Sequence, residues 1–334
     1  MPAQPCRPRR RDVLAQALLL PLAGRTQTRP GSTWRVGAGE AVTRVAEALR
    51  LAADGDTIEL LSGTYRGDVA VIRQRRLTIV GVGERPLLAA DGQHADGKAI
   101  WVVRDGDVRI ENIAFQGARV PDGNGAGIRF EGGRLSLHRC RFSDNQMGLL
   151  TGNRADSELL VTDCEFADAP PNAGGLPHLL YVGRIGRFSI RDSVLRHGNV
   201  GHLLKSRARE SIIAGNRLDD GRDGQASYEI DLPNGGIADV SGNTLVQGPL
   251  TQNPVMLSYG AEGQPWDENR LLVRDNSFIN HRGAGGSFIR VWADRLPPGT
   301  PVLTRGNRFL GRGELELGPN GRSQGDQRGP APAD

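Results

Sequence analysis

The sequence predicts an all-β protein, a right-handed parallel β-helix, and three observations carry that prediction. The first is composition: 46 glycines in 334 residues, 5% aromatics, and apolar residues that are mostly Val, Ile and Leu, a mixture that favours strands and turns. The second is a repeat. Segments of the form x-[VI]-x-x-x-[NC]-x-[FL] recur as VRIENIAF, LSLHRCRF, LLVTDCEF, FSIRDSVL, SIIAGNRL, ADVSGNTL, LLVRDNSF and PVLTRGNRF. They place Ile113, Cys140, Cys164, Ser193, Asn216, Asn243, Asn276 and Asn307 at one phase, with spacings of 27, 24, 29, 23, 27, 33 and 31. The third is that no helical segment separates these strands, so each unit buries its inner face only by stacking on the next. A β-sandwich would show hairpin turns between alternating strands, but not one residue type at one phase of every unit.

Residues 1–24 read as an export signal: a basic start with RPRRR at 7–11, a short apolar run from Val13 to Ala23, then small residues. RRDVL at 10–14 resembles a twin-arginine signal. Four arginines and one aspartate lie in this segment, so its removal takes the net charge from +4 to +1. Its apolar run is too short to cross a bilayer and no other stretch approaches ~18 apolar residues, so no membrane span is expected. Without a concentrated basic patch or interleaved aromatics, nucleic acid is not an expected partner.

Residues 25–38 are expected to form a linker and the first strand, and 39–317 a single β-helix domain. Val42, Val45, Leu49 and Ala52 fall at helical spacing before Gly55, which predicts a short amphipathic α-helix capping the open end of the solenoid. DGDTIELLSGTY, from Asp54 to Tyr65, follows as the first strands of the coil. The tail, 318–334, lacks apolar residues and is expected to be disordered.

The four successive asparagines, Asn216, Asn243, Asn276 and Asn307, predict an inward ladder of amides bonded to turn backbone and to one another. Cys140 and Cys164 hold the same position on adjacent coils, ~4.8 Å apart along the stack. Two outcomes stand open for them. Export to an oxidising compartment favours a disulfide, whereas parallel stacking favours two buried thiols packed as small apolar groups. With Cys6 in the export signal, no zinc spacing remains.

A further strand of each coil lines up as GLLTGN at 148, HLLYVGR at 178, HLLKSR at 202 and YEIDLPN at 228. With Leu180, Leu204 and Ile230 inward, alternation sends Tyr181, Lys205, Arg207, Glu229 and Asp231 outward. A long outer groove on a solenoid suits an extended polymer.

Lys205 is one of two lysines against 40 arginines. Arginine does not release its proton, whereas a partly desolvated lysine can serve as a base; the plain alternative is a solvated or carboxylate-paired lysine. The candidate catalytic set is therefore Lys205 as base, Tyr181 or His197 as acid, and Arg207 or Asn234 as the partner of a substrate carboxylate. His178, Tyr228, Glu229, Asp231, Asn234, Arg290 and Trp292 are candidate substrate contacts. His197 lies in the turn RHGNVG, 196–201, and could reach the face, whereas His202, inward with Leu204, reads as structural. Glu229 and Asp231 at i, i+2 are either Ca²⁺ ligands or, with no further carboxylate cluster beside them, partners of Lys205 and Arg207.

GDTI, GTY and LTIVGVG, following the predicted helix, resemble the N-terminal end of the pectin-lyase-like superfamily, a likeness of architecture over residues 35–311. HLLKS at 202–206 resembles the VKS stretch of the chondroitinase B and alginate lyase family, and the resemblance implies a base role for Lys205 in β-elimination from a uronide, with calcium as a companion. That family's LRHG arginine on the next coil is replaced here by DLPNG at 231–235. A closer likeness covers residues 175–292. YVG at 181–183, GHLLKSRA at 201–208, YEIDLPNGG at 228–236, QG at 247–248, NP at 253–254 and SYGAEG at 258–263 are similar to a pattern in exported bacterial β-helix repeat proteins. That likeness implies a family-specific face without a reaction. The expectation is an exported protein, periplasmic or secreted, that acts on an acidic, uronate-containing polysaccharide or oligosaccharide by lyase or epimerase chemistry. Its alternative is a noncatalytic polysaccharide-binding or cell-envelope protein.

Overall fold

The computed structural model describes residues 1–2, 31–171 and 175–332; the expected export signal, beyond its first two residues, lies outside the described residues. From Gly31 onward the chain is one compact unit. It winds through three parallel sheets in rotation, of 12, 11 and 10 strands. The first sheet runs from Thr33–Val36 to Gly321–Gln324, the second from Thr64–Arg66 to Gln327–Gly329, and the third from Ala70–Ile72 to Glu314–Glu316. Every strand pairs in parallel with its counterpart on the neighbouring coil, which makes the fold the expected parallel β-helix.

The repeat is the turn between the first and second sheets. The residue before each ladder position, Asn112, Arg139, Asp163, Asp192, Gly215, Gly242, Asp275 and Gly306, has φ between 50° and 69°. Only Gly, Asn and Asp take this left-handed conformation at low cost, so the sequence supplies them at seven of the eight turns. The ladder side chain then satisfies the turn backbone of the coil before it. Asn216, Asn243 and Asn276 each donate both backbone N–H and Nδ2 to the next asparagine's Oδ1 at 2.8–3.0 Å. One phase further, Phe115, Phe142 and Phe166 stack nearly parallel inside the second sheet, with centroids 5.1 and 4.7 Å apart.

Cys140 and Cys164 are free, buried thiols. The Cys140 N–H donates to Cys164 Sγ at 3.3 Å, so sulfur stands in for the asparagine oxygen. The parallel direction of stacked side chains keeps the two sulfurs serving backbone groups.

Two expectations need correction. The helix is shorter than its apolar spacing predicted, Val45–Leu51, because Val42 forms a parallel bridge with Val36 instead. Asp68 accepts hydrogen bonds from the Val45 and Ala46 N–H groups at 2.6 and 3.1 Å and fixes the helix start there; the helix packs on Thr33–Val36 and Ala70–Ile72. The tail is not disordered over 321–329. Gly321–Gln324 pairs with Val302–Arg305, and Gln327–Gly329 with Arg308–Gly311. Backbone pairing supplies what apolar burial does not: Asp326 takes the ladder position and accepts from Asn307 N and Nδ2 at 2.7 and 2.9 Å. Among the described residues no helix is long and apolar enough to cross a membrane.

Candidate functional site on the outer face of the third sheet

Register on the third sheet aligns Tyr181, Lys205, Asp231, Ser258 and Arg290 in one row across successive coils. Leu180, Leu204 and Ile230, one position earlier, are fully buried. The expected alternation therefore holds for Tyr181, Lys205 and Asp231, and Arg207 joins them from just past the strand Leu204–Ser206.

These side chains form one network. Arg207 donates through Nε to Tyr181 Oη at 2.9 Å and through Nη1 to Asn234 Oδ1 at 2.7 Å. The Tyr181 ring lies beneath both cations, its centroid 5.7 Å from each. Lys205 Nζ is 3.4 Å from Asp231 Oδ2. Glu262, which did not figure among the sequence candidates, completes the set: its carboxylate takes Lys205 Nζ at 2.6 Å on one oxygen and Arg207 Nη2 at 2.5 Å on the other. The signal for it was present in SYGAEG, 258–263, and in the longest ladder spacing, 33 residues from Asn243 to Asn276, which makes room for the loop 260–269.

That loop folds back over the coils beneath it. Glu262 N–H donates to Pro233 O at 3.0 Å, Trp266 N–H to Asn234 O at 3.3 Å, and Trp266 Nε1 to Arg207 O at 3.0 Å. Arg184 stacks on the Trp266 ring at 4.3 Å. On the far side, Trp292 lies between Arg290 and Arg295 at 4.2 and 4.7 Å and donates through Nε1 to Ser258 Oγ at 3.3 Å.

His178 and His202 build a second ladder behind the row. The His202 N–H donates to His178 Nδ1 at 2.8 Å, and the Tyr228 N–H to His202 Nδ1 at 3.2 Å. With Nδ1 accepting, each neutral ring carries its proton on Nε2, and His202 Nε2 lies 3.5 Å from Asp231 Oδ2. Burial, then the charges of Lys205 and Arg207, push His178 down to about 3; burial, then His178 and the same cations, push His202 down to about 2. Burial raises Asp231 to about 6 against the pull of Lys205. Burial also works against the Glu262 carboxylate, yet hydrogen bonds from Lys205 and Arg207 and their charges hold it below its ordinary range.

His197 and Glu229 lie away from this outer face. His197 stands just past the strand Val194–Arg196 of the second sheet, 53% exposed, with Nδ1 2.9 Å from Asp168 Oδ1; the turn carries it to a different face from Lys205. Glu229 points into the solenoid. Two consecutive residues face inward where the chain enters the third sheet, so Leu203, Glu229 and Met256 are all fully buried. Gln247 Nε2 donates to Glu229 Oε2 at 3.3 Å, and Glu229 Oε1 has no partner among the described residues. Glu229 and Asp231 thus face apart and form no Ca²⁺ pair, and the described residues contain no group of three or more His, Cys, Asp or Glu placed to hold a metal ion.

Burial, reinforced by Asp220, raises the Glu229 carboxyl well above its ordinary value of 4.5. The folded state then holds a proton that the unfolded state releases, so stability falls as pH rises above that value. Glu229→Gln removes this slope. Relative to wild type, the variant is expected to gain stability as pH rises above 4.5, read from urea midpoints at each pH.

Neither a protein-family model nor a curated protein matches the chain. Among solved structures it is similar to ORF18 of Geobacillus virus E2, at 13% sequence identity and a TM-score of 0.40, over 82% of this chain and 52% of that one. The chain spans about half the length of that protein. Fold and site together define a parallel β-solenoid protein with a charged, aromatic-flanked network on one outer face.

Proposed function

We propose that this face binds a uronate-containing polysaccharide and that Lys205 abstracts the C5 proton of a bound uronate. The observation that carries the reading is a single carboxylate bridging Lys205 and Arg207: a ligand carboxylate held there by Arg207 would bring the carbon next to it against Lys205, with Tyr181 beside them. The likeness to the pectin-lyase-like superfamily, and of HLLKS to the chondroitinase B and alginate lyase stretch, supports the same reading. The export signal read in residues 1–24 supports a periplasmic or secreted setting, where such polymers are met.

In β-elimination, Lys205 as the free amine takes the C5 proton. The electron pair forms the C4=C5 double bond, the C4–O bond breaks, and the departing oxygen takes the Tyr181 hydroxyl proton. Arg207 neutralises the charge developing on the uronate carboxylate. The Arg207 Nε–H donates to the Tyr181 oxygen, which leaves the Tyr181 proton available for transfer. In epimerisation the C4–O bond stays, and C5 takes a proton on its opposite face from the Tyr181 hydroxyl while Lys205 keeps the one it removed.

The test is ultraviolet absorbance of unsaturated uronate with alginate, pectate, hyaluronan, chondroitin and heparan, and deuterium uptake at C5 for epimerisation. Lys205→Met is expected to abolish both signals while the circular dichroism spectrum is unchanged. Turnover retained by that variant would rule Lys205 out as the base. A second reading, binding without turnover, is favoured by the Arg184–Trp266 and Arg290–Trp292–Arg295 stacks, which offer aromatic and cationic surface to an acidic glycan. Binding with no product from any polymer would select it.

A further inference from the structure

We infer that the loop 260–269 is a latch: the Glu262 carboxylate occupies the subsite for a ligand carboxylate, and a ligand enters by displacing it. The inference rests on the acidic-glycan reading and adds the regulation of that site.

Exposure shows the order of access. The Lys205 side chain is 9% exposed and that of Arg207 18%, whereas Glu262 is 43% exposed. The carboxylate therefore stands outside the two cations, and a ligand that is to touch Lys205 meets Glu262 first. The exchange conserves charge, because one carboxylate replaces another over the same lysine and arginine. It thus avoids leaving Lys205 with Asp231 alone and Arg207 with no carboxylate, a loss of charge pairing that would be costly.

The loop is built to open as a unit. Its conformation turns on Gly260, Gly263 and Gln264, all with positive φ, and its tip is held by polar bonds to Pro233, Asn234 and Arg207. Glu262 lies at that tip and points no apolar side chain into the core. Releasing it breaks ion pairs and hydrogen bonds that a ligand carboxylate and water can replace. A latch closed about nine-tenths of the time would weaken apparent affinity about tenfold.

The chain contains one other lysine, Lys98, which provides an internal reference. Full-length protein is treated briefly with an acetylating succinimidyl ester, and acetylation of Lys205 relative to Lys98 is read by mass spectrometry. Glu262→Ala is expected to raise that ratio about tenfold; glucuronate is expected to bring it back down, and glucose to leave it unchanged. If Glu262→Ala fails to fold, Glu262→Gln keeps the shape, removes the charge, and carries the same expectation. An unchanged ratio in a folded variant, or no protection by glucuronate, overturns the latch. Failure of the wider reading looks different. Unmasking with glucuronate protection, but no uronate polymer bound by either protein, keeps the latch and removes the polysaccharide. A polymer that binds wild type and binds Glu262→Ala more weakly keeps the polysaccharide and removes the latch, since Glu262 would then be part of the binding surface.

Discussion

Asn243→Ala should lower the stability of the central coils by about 3 to 6 kcal/mol, the summed cost of the buried groups it would leave unpaired. Asn243 Oδ1 accepts from Asn216 N at 2.8 Å and Asn216 Nδ2 at 2.9 Å, and its own Nδ2 donates to Ile213 O at 2.8 Å. All of these atoms are buried, so no water takes the place of the lost amide. Asn243→Ser should cost less than the alanine change. At the equivalent position Ser193 Oγ accepts the Cys164 N–H at 3.1 Å and donates to Arg191 O at 2.7 Å, so a hydroxyl can serve one donor and one carbonyl of a turn. Urea unfolding of the three proteins in parallel gives the order. Equal midpoints for alanine and wild type would mean that the ladder follows the fold without holding it.

Phe142→Ala is expected to cost about 3 to 5 kcal/mol, the range for deleting a buried aromatic. Phe142 lies in the middle of the Phe115, Phe142, Phe166 stack, at 8° and 4° to its neighbours and 1% exposed. The site cannot collapse easily, because both neighbours are fixed by their own coils and Gly127 already fits against the ring: a Cβ there would meet Phe142 Cδ1 at 2.7 Å. Phe142→Leu should cost about 1 to 2 kcal/mol, since it fills most of the volume but loses the ring contacts. Thermal and urea unfolding would distinguish the two. A leucine variant as unstable as alanine would make ring stacking, rather than filled volume, the main contribution.

The fold was legible because the solenoid repeats its most demanding requirement. A left-handed turn followed by a buried side chain that serves the turn backbone restricts residue choice at two adjacent positions, so Gly or Asp before Asn, Cys or Ser recurs at one phase even as the period drifts from 23 to 33 residues. Strand alternation likewise placed Tyr181, Lys205 and Asp231 on the outer face. It failed at Glu229 because alternation describes a strand and not the corner leading into it. His197 was misjudged for a related reason: closeness in sequence to Lys205 says little when the chain passes from one sheet to another between them. Glu262 was the hardest to foresee. It reaches Lys205 across 57 residues through an inserted loop, and an insertion shows in a repeat only as a long spacing, without saying which side chain it returns.

Calorimetric titration of a uronate oligosaccharide into the wild-type protein and Arg207→Ala asks whether the outer face of the third sheet is where an acidic glycan binds, whatever follows chemically. Arg207 makes one of the two contacts expected with the ligand carboxylate, and charge-assisted hydrogen bonds of that kind contribute about 1.5 to 3 kcal/mol. The predicted result is binding by wild type and a dissociation constant at least about tenfold larger for the variant. Equal affinity in the two proteins, or no heat from any uronate oligosaccharide with wild type, would contradict the assignment of this face.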